Sequence, residues 1–177
     1  MVKDAPEESG DEHGLVSEAA KKDAWSQTLE DMTALADEYE AEGWETIRVH
    51  VGQVGCESVD VGESDRFGFV HVVPGDKADA IEAAVEDAGF PQFDVYRKEV
   101  EGTVFFVLVL LDPATETAVF IAASYKLGDA EGVAVAAERE GVVFSHLQRL
   151  DGTHVASFEH EAYEKFFPDI DRLLPEE

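Results

Sequence analysis

Four side chains offer the best chemistry in this sequence: Tyr96, Lys98, His146 and Gln148. They belong to two predicted β-hairpins, and the turns decide which residues share a face. Glu101-Gly102 is a two-residue turn between Gln92–Val100 and Thr103–Leu111, with Gly supplying the positive φ. Counting outward from it puts Tyr96, Lys98, Phe105 and Val107 on one face. Asp151-Gly152 between Val142–Leu150 and Thr153–Glu159 is read in the same way. Its equivalent face carries Phe144, His146, Gln148, Val155 and Ser157. Polar tips among aromatic and β-branched residues suit a small-molecule cleft. A pseudo-twofold relating the hairpins would place Tyr96 with His146 and Lys98 with Gln148 around one groove. The plainer reading of these faces is a solvent-facing sheet with cross-strand pairs.

Other chemistry is less well supported. The six histidines invite a metal reading. On the two-residue turn, His146 lies opposite Ser157 and His154 opposite Arg149, on opposite faces of the hairpin. His154 and His160 share a face but sit roughly 20 Å apart along a strand, so no two of these three could share a zinc ion. His50 and His71 become neighbours if their strands pair. The plainer reading of all of them is half-exposed strand histidines. His160-Glu161-Ala162-Tyr163-Glu164 has Glu where a zincin helix needs its second His. Cys56, the single cysteine, excludes an intrachain disulfide and cysteine metal clusters. Glu57 and Asp60 beside it disfavour a thiolate. Gly52-Gln53-Val54-Gly55 lacks the third glycine of a dinucleotide loop, and neither GxxxxGK[ST] nor GxSxG occurs. No nucleophile–base pair, cofactor site or metal site is indicated, and the sequence favours a non-enzymatic protein.

The elements that must position these residues repeat. A strand (Phe67–Val73), a helix ended by Gly89 and a hairpin are followed by a second strand (Ala118–Tyr125), a helix ended by Gly141 and a hairpin. Glycine and aspartate punctuate all helix stops and turns, so a true duplication is one explanation and common turn chemistry the other. Before the units, Trp25, Leu29, Met32, Ala36 and Tyr39 form one stripe of a helix over Ser17–Glu42, stopped by Gly43. That stripe either covers the sheet or serves as a partner-helix seam, and the covering role is the expected one. Glu45–Val51 alternates as a half-buried strand, and Gly52–Ser64 reads as loop. Residues 160–168 form a helical turn or two with aromatics docked on the body. The expected fold is α+β: a mostly antiparallel sheet from two successive strand–helix–hairpin units, with a long N-terminal helix packed on it. Residues 1–13 carry five acids and little to bury, which reads as a disordered acidic tail before a single domain over 14–177.

Charge is the outlier. Forty Asp and Glu stand against 13 Lys and Arg, a formal −27 in 177 residues. Such a domain repels itself in dilute buffer. In molar salt the Debye length falls to roughly 3 Å and the repulsion is screened. Acids spread along the chain suit a halophile's cytoplasm; the alternative is an acidic mesophilic protein with a basic partner. No basic run or flanked aromatic platform supports nucleic-acid binding. No apolar run approaches the ~18 residues of a membrane span, and there is no signal-peptide pattern. The expectation is a soluble cytoplasmic protein whose partner is a small molecule or another protein, with neither nucleic acid nor membrane.

Glu42-Gly43-Trp44, Asp65-Arg66-Phe67-Gly68, Val70-His71-Val72-Val73-Pro74-Gly75-Asp76, Leu150-Asp151-Gly152-Thr153-His154 and Tyr163-Glu164-Lys165-Phe166-Phe167-Pro168 resemble a family of uncharacterised haloarchaeal proteins. The resemblance implies a high-salt environment and carries no activity or functional residues. In element order alone, the two units look like the duplicated module of GyrI-like proteins, which implies a small-molecule groove between halves. The leading expectation is therefore a small-molecule-binding module. A protein-interaction domain using the helix stripe or a sheet edge is the alternative.

Overall fold

The computed structural model describes residues 4–58 and 67–175, with side chains from Ser17 onward. The tail expected over residues 1–13 therefore lies outside the described side chains, as does the 59–64 part of the expected loop outside the described residues. Helix α1 (Asp4–Ala41) begins earlier than the apolar stripe suggests. It ends where Gly43 takes a φ of 95° and the chain turns into β1 (Glu45–Gln53). The stripe does cover a sheet: Met32 and Ala36 are buried against Val107, Val109 and Phe120, with Trp25, Leu29 and Tyr39 packed around them. Arg48 on β1 bonds Asp37 and Glu40 of α1 at 2.8 and 2.9 Å, a two-carboxylate clamp at the same seam.

The rest is α+β as expected, with most strand pairs antiparallel, but the strands form two sheets instead of one. Sheet A runs β1, β6 (Thr117–Lys126), β5 (Thr103–Asp112), β4 (Gln92–Val100). Sheet B runs β2 (Gly55–Glu57), β3 (Gly68–Val72), β7 (Val143–Gln148), β8 (His154–His160). The β2 strand occupies part of what the sequence reads as loop. The partition follows from the connections. Helix α2 (Gly75–Asp87) carries the chain from β3 in sheet B to β4 in sheet A, and α3 (Glu131–Glu140) carries it from β6 in sheet A to β7 in sheet B. Each hairpin thus lands on the other unit's first strand. The pairings are not equivalent, because β3 runs parallel to β7 whereas β6 runs antiparallel to β5. A pseudo-twofold between the units is therefore not formed.

The two sheets enclose the main core. Phe106, Leu108, Leu110, Ile121 and Tyr125 of sheet A meet Phe69, Leu147 and Phe158 of sheet B, closed by Phe166 and Phe167 near the C-terminal 3-10 turn. Sheet A, with α1 on its other face, is covered on both sides. This explains why nearly every residue of β5 is buried. Turn chemistry behaves as predicted at Glu101-Gly102, where both central residues have positive φ (51° and 78°), and at Gly141, which caps α3 in the left-handed region. Gly89 does not stop α2 in that way; the helix ends at Asp87 and Phe90 takes the positive φ instead. The buried Asp112 carboxylate holds that corner, accepting the Gly89 and Phe90 N–H groups and the Thr115 hydroxyl. Those bonds, the Thr115 hydroxyl first, keep its pKa below the usual carboxylate range. No helix among the described residues is long and apolar enough to cross a membrane.

Candidate functional site

Tyr96 and Lys98 pair with Val107 and Phe105, as the two-residue turn predicts, on the face of sheet A that carries α1. With Gln27, Thr28 and Asp31 of α1 they line a hollow of only about 90 Å³. Ligand clefts occupy roughly 300–1,000 Å³, and this hollow is well below that size. His146 and Gln148 lie on β7 in the other sheet, on the face pointing away from Leu147 and the core. The whole inter-sheet core separates them from Tyr96 and Lys98. The single groove expected around all four residues is not formed, because the hairpins joined different sheets.

The outer face of sheet B does gather chemistry. His146 pairs with Ser157, as predicted, and its Nδ1 lies 2.8 Å from the Ser157 hydroxyl. Its Nε2 lies 3.2 Å from the Phe67 carbonyl oxygen, and its ring stacks on Phe144 at 5.8 Å. His154 Nε2 is also 2.8 Å from the Ser157 hydroxyl. That contact contradicts the expectation that His146 and His154 lie on opposite faces. The cause is a β-bulge: Leu147 pairs with Ala156 but Gln148 pairs with His154, which leaves Val155 as the extra residue. Val155 turns into the core instead of sharing the face of Ser157, and His154 swings to Ser157. The turn is longer than two residues, since Arg149 N–H donates to the Thr153 carbonyl and Gly152 N–H to the Arg149 carbonyl. Sequence reasoning missed the Ser157–His154 contact because nothing in Leu150-Asp151-Gly152-Thr153 announces the bulge.

A cleft of about 510 Å³ opens beside this face, lined by residues of β1 (His50, Val51), the β3–α2 link (Val72–Gly75) and the β7–β8 turn (Arg149–Asp151). Val72 lines the cleft and is the register partner of Gln148, so cleft and outer face are continuous. Its walls are mainly apolar. Leu150 is 90% exposed and Val72 40%, and both stand on this one cleft. Arg149 is fixed at the rim by Asp79 at 2.6 Å and Glu82 at 3.0 Å, and these bonds raise its pKa further. A larger cleft of about 940 Å³ lies between Trp44, Ala83 and Thr117, but its lining includes Glu40, Glu45, Asp87 and Glu116 and no cation. In so acidic a chain that is the ordinary character of the surface.

Two of the histidines, His71 and His160, are not the half-exposed strand residues expected, whereas His50 on β1 is exposed. His71 and His160 are buried on the inner face of sheet B. His50 and His71 stand in different sheets and do not pair. His160 Nε2 lies 2.9 Å from the Ser145 hydroxyl, whereas neither nitrogen of His71 has a partner. Burial lowers both pKa values to about 3, helped at His71 by His160 and His146 nearby. Among the described residues no group of three or more His, Cys, Asp and Glu side chains is placed to hold a metal ion. Burial, then Asp129, pushes the Cys56 thiol up to about 12. It is therefore protonated and inert, for a stronger reason than its acidic sequence neighbours.

A family of unknown function (DUF7529) matches the chain over residues 12–168, and the chain belongs to that family. No curated protein and no solved structure matches it.

Proposed function

We propose that this member of the family binds a small molecule in the cleft between His50, Val72, Pro74 and Leu150. The observation that carries the reading is the cleft itself: about 510 Å³ and mainly apolar-walled, with His50, Arg149 and Asp151 as the polar residues of its lining. Arg149 is already neutralised by two carboxylates, and the chain carries a formal −27. Both features disfavour an anionic ligand and favour a largely apolar, uncharged one. The earlier likeness to GyrI-like modules concerns element order only; the cleft supports the reading without it. The same charge supports a working environment of molar salt, as in halophilic archaea.

Native mass spectrometry of protein purified from its own host tests the proposal. A retained small molecule is expected, and Val72→Arg, which fills the cleft from an exposed position, should abolish it. Wild-type protein that carries nothing, and whose melting temperature does not respond to a library of uncharged small molecules, would count against it.

A second reading is a protein-interaction surface at the tip of the β7–β8 turn, favoured by the exposed Leu150 and Val72 standing together there. The α1 stripe does not support that role, since it is occupied by sheet A. Sedimentation of wild type and Leu150→Ser with host lysate proteins separated by size would distinguish this from ligand binding.

A further inference from the structure

We propose that Ser157 is a reactive nucleophile that accepts an acyl group from small apolar esters, with His146 as its base. The argument starts from proton counting. The Phe67 carbonyl oxygen can only accept a hydrogen bond, so in the neutral imidazole the Nε2 of His146 carries the proton and donates to it. Nδ1 then holds the lone pair. It accepts from the Ser157 hydroxyl at 2.8 Å. That hydroxyl has a single proton, so the second 2.8 Å contact must be His154 Nε2–H donating to the serine oxygen. The hydroxyl is thus held at both ends. A base stands ready to take its proton, and the His154 donor fixes the oxygen so that the proton points at that base.

Nucleophile, base and a third group that fixes the base are the arrangement an activated serine needs. Here the third group is a main-chain carbonyl of Phe67, which is only 3% exposed, and the base's ring is further fixed by stacking on Phe144. A casual surface Ser–His contact has neither restraint. Ser157 and His146 are both half-buried, so the pair keeps contact with solvent.

The step balances within these groups. As Oγ forms its bond to the ester carbonyl carbon, its proton passes to His146 Nδ1. The bond to the leaving oxygen breaks, and that oxygen takes the proton from His146 and departs as the alcohol. Water then attacks the acyl-serine, giving its proton to Nδ1, which returns it to Oγ as the carboxylic acid leaves. Phe144, Val70 and Val72 share the outer face with His146, by pairing along β3 and β7. They provide an apolar surface for the acyl chain, while the acidic exterior disfavours anionic esters.

This inference goes beyond the binding reading and does not need a ligand in the His50 cleft, so failure of one leaves the other standing. The test is covalent labelling of the full chain in molar KCl by an alkyl fluorophosphonate. In that reaction the Oγ–P bond forms, fluoride leaves and the proton passes through His146. One phosphonyl group should be gained and map by peptide mass spectrometry to Ser157. The rate should rise with pH, since only a neutral imidazole can serve as the base. Ser157→Ala should abolish the label, and His146→Gln should slow it by about 100-fold or more, the range for a lost general base. Folded wild-type protein without label at Ser157 overturns the proposal. So does a label that forms at an unchanged rate in His146→Gln, or one that shows no pH dependence in wild type, a measurement that holds even if the variant does not fold.

Discussion

Acid should destabilise this protein through two histidines. His71 is 0% exposed with its ring edge-on to Phe106, and His160 is 1% exposed against Phe93 and Phe166. Both have folded pKa values of about 3, while in the unfolded chain histidine titrates near ~6.5. The folded value is the lower one, so between these limits the unfolded chain binds more protons. Stability is therefore complete above about pH 7 and falls as pH drops toward 3. Each histidine removes up to about 1.4 kcal/mol per pH step of one, or about 2 kcal/mol by pH 5. The pair removes about 4 kcal/mol, most of the stability of a marginal domain at about 5 kcal/mol. Urea unfolding at pH 7, 6 and 5 in molar KCl measures this, with carboxylate repulsion screened and most carboxylates still ionised. His71→Leu keeps a side chain of similar size in the core and deletes one titrating group. Its loss between pH 7 and 5 should fall to about 2 kcal/mol. Equal wild-type stability at pH 7 and 5, or a variant with the full wild-type slope, would refute the reasoning.

Two further outcomes are expected. The melting temperature should climb as KCl rises from about 0.1 M to molar concentration, because the Debye length shrinks from about 10 to about 3 Å around a −27 chain; a flat profile in calorimetry would remove the high-salt reading. Gly68→Ala should cost more than about 4 kcal/mol or prevent folding, since at φ 136° a Cβ would lie 2.0 Å from the Phe144 carbonyl oxygen. Gly128→Ala, with open space around it, is the control, and similar denaturation midpoints for the two variants would contradict the close β3–β7 approach.

The local elements were legible where one physical signal dominated. The α1 stripe has a 3.6 period and an αL glycine after it, and it packs as read. The β4–β5 register followed from Glu101-Gly102, because a two-residue turn with two positive φ values leaves no freedom in pairing. The two-sheet partition was not legible. Phe69-Val70-His71-Val72 and the β6 run are both short apolar strands, and periodicity does not say which sheet a strand joins. Hence His71 read as half-exposed although the inter-sheet core seals it. His146 and Gln148 were placed on one face by counting outward from Asp151-Gly152, but their grouping with Tyr96 and Lys98 assumed a symmetry that the parallel β3–β7 pairing breaks.

The asymmetry of the sheets explains where chemistry can reside. Sheet A is enclosed by α1 on one face and sheet B on the other, so β5 and β6 are largely apolar on both faces, and the Asp112 carboxylate at the end of β5 is used up in holding its corner. Strand β7 instead alternates strictly, with Val143, Ser145 and Leu147 buried and Phe144, His146 and Gln148 turned outward. The bulge on β8 then couples packing to the outward face. Regular alternation would turn Val155 to the side of Ser157 and His154 to the core. The extra residue reverses both at once: Val155 joins the core cluster and His154 reaches Ser157. The free energy that holds this distortion is the burial of an apolar side chain, about 1.5–3 kcal/mol for a valine. A hydrogen bond to an exposed histidine contributes less, about 0.5–1.5 kcal/mol. The Ser157 arrangement therefore rests on core packing, which keeps it in place whether or not a ligand is bound.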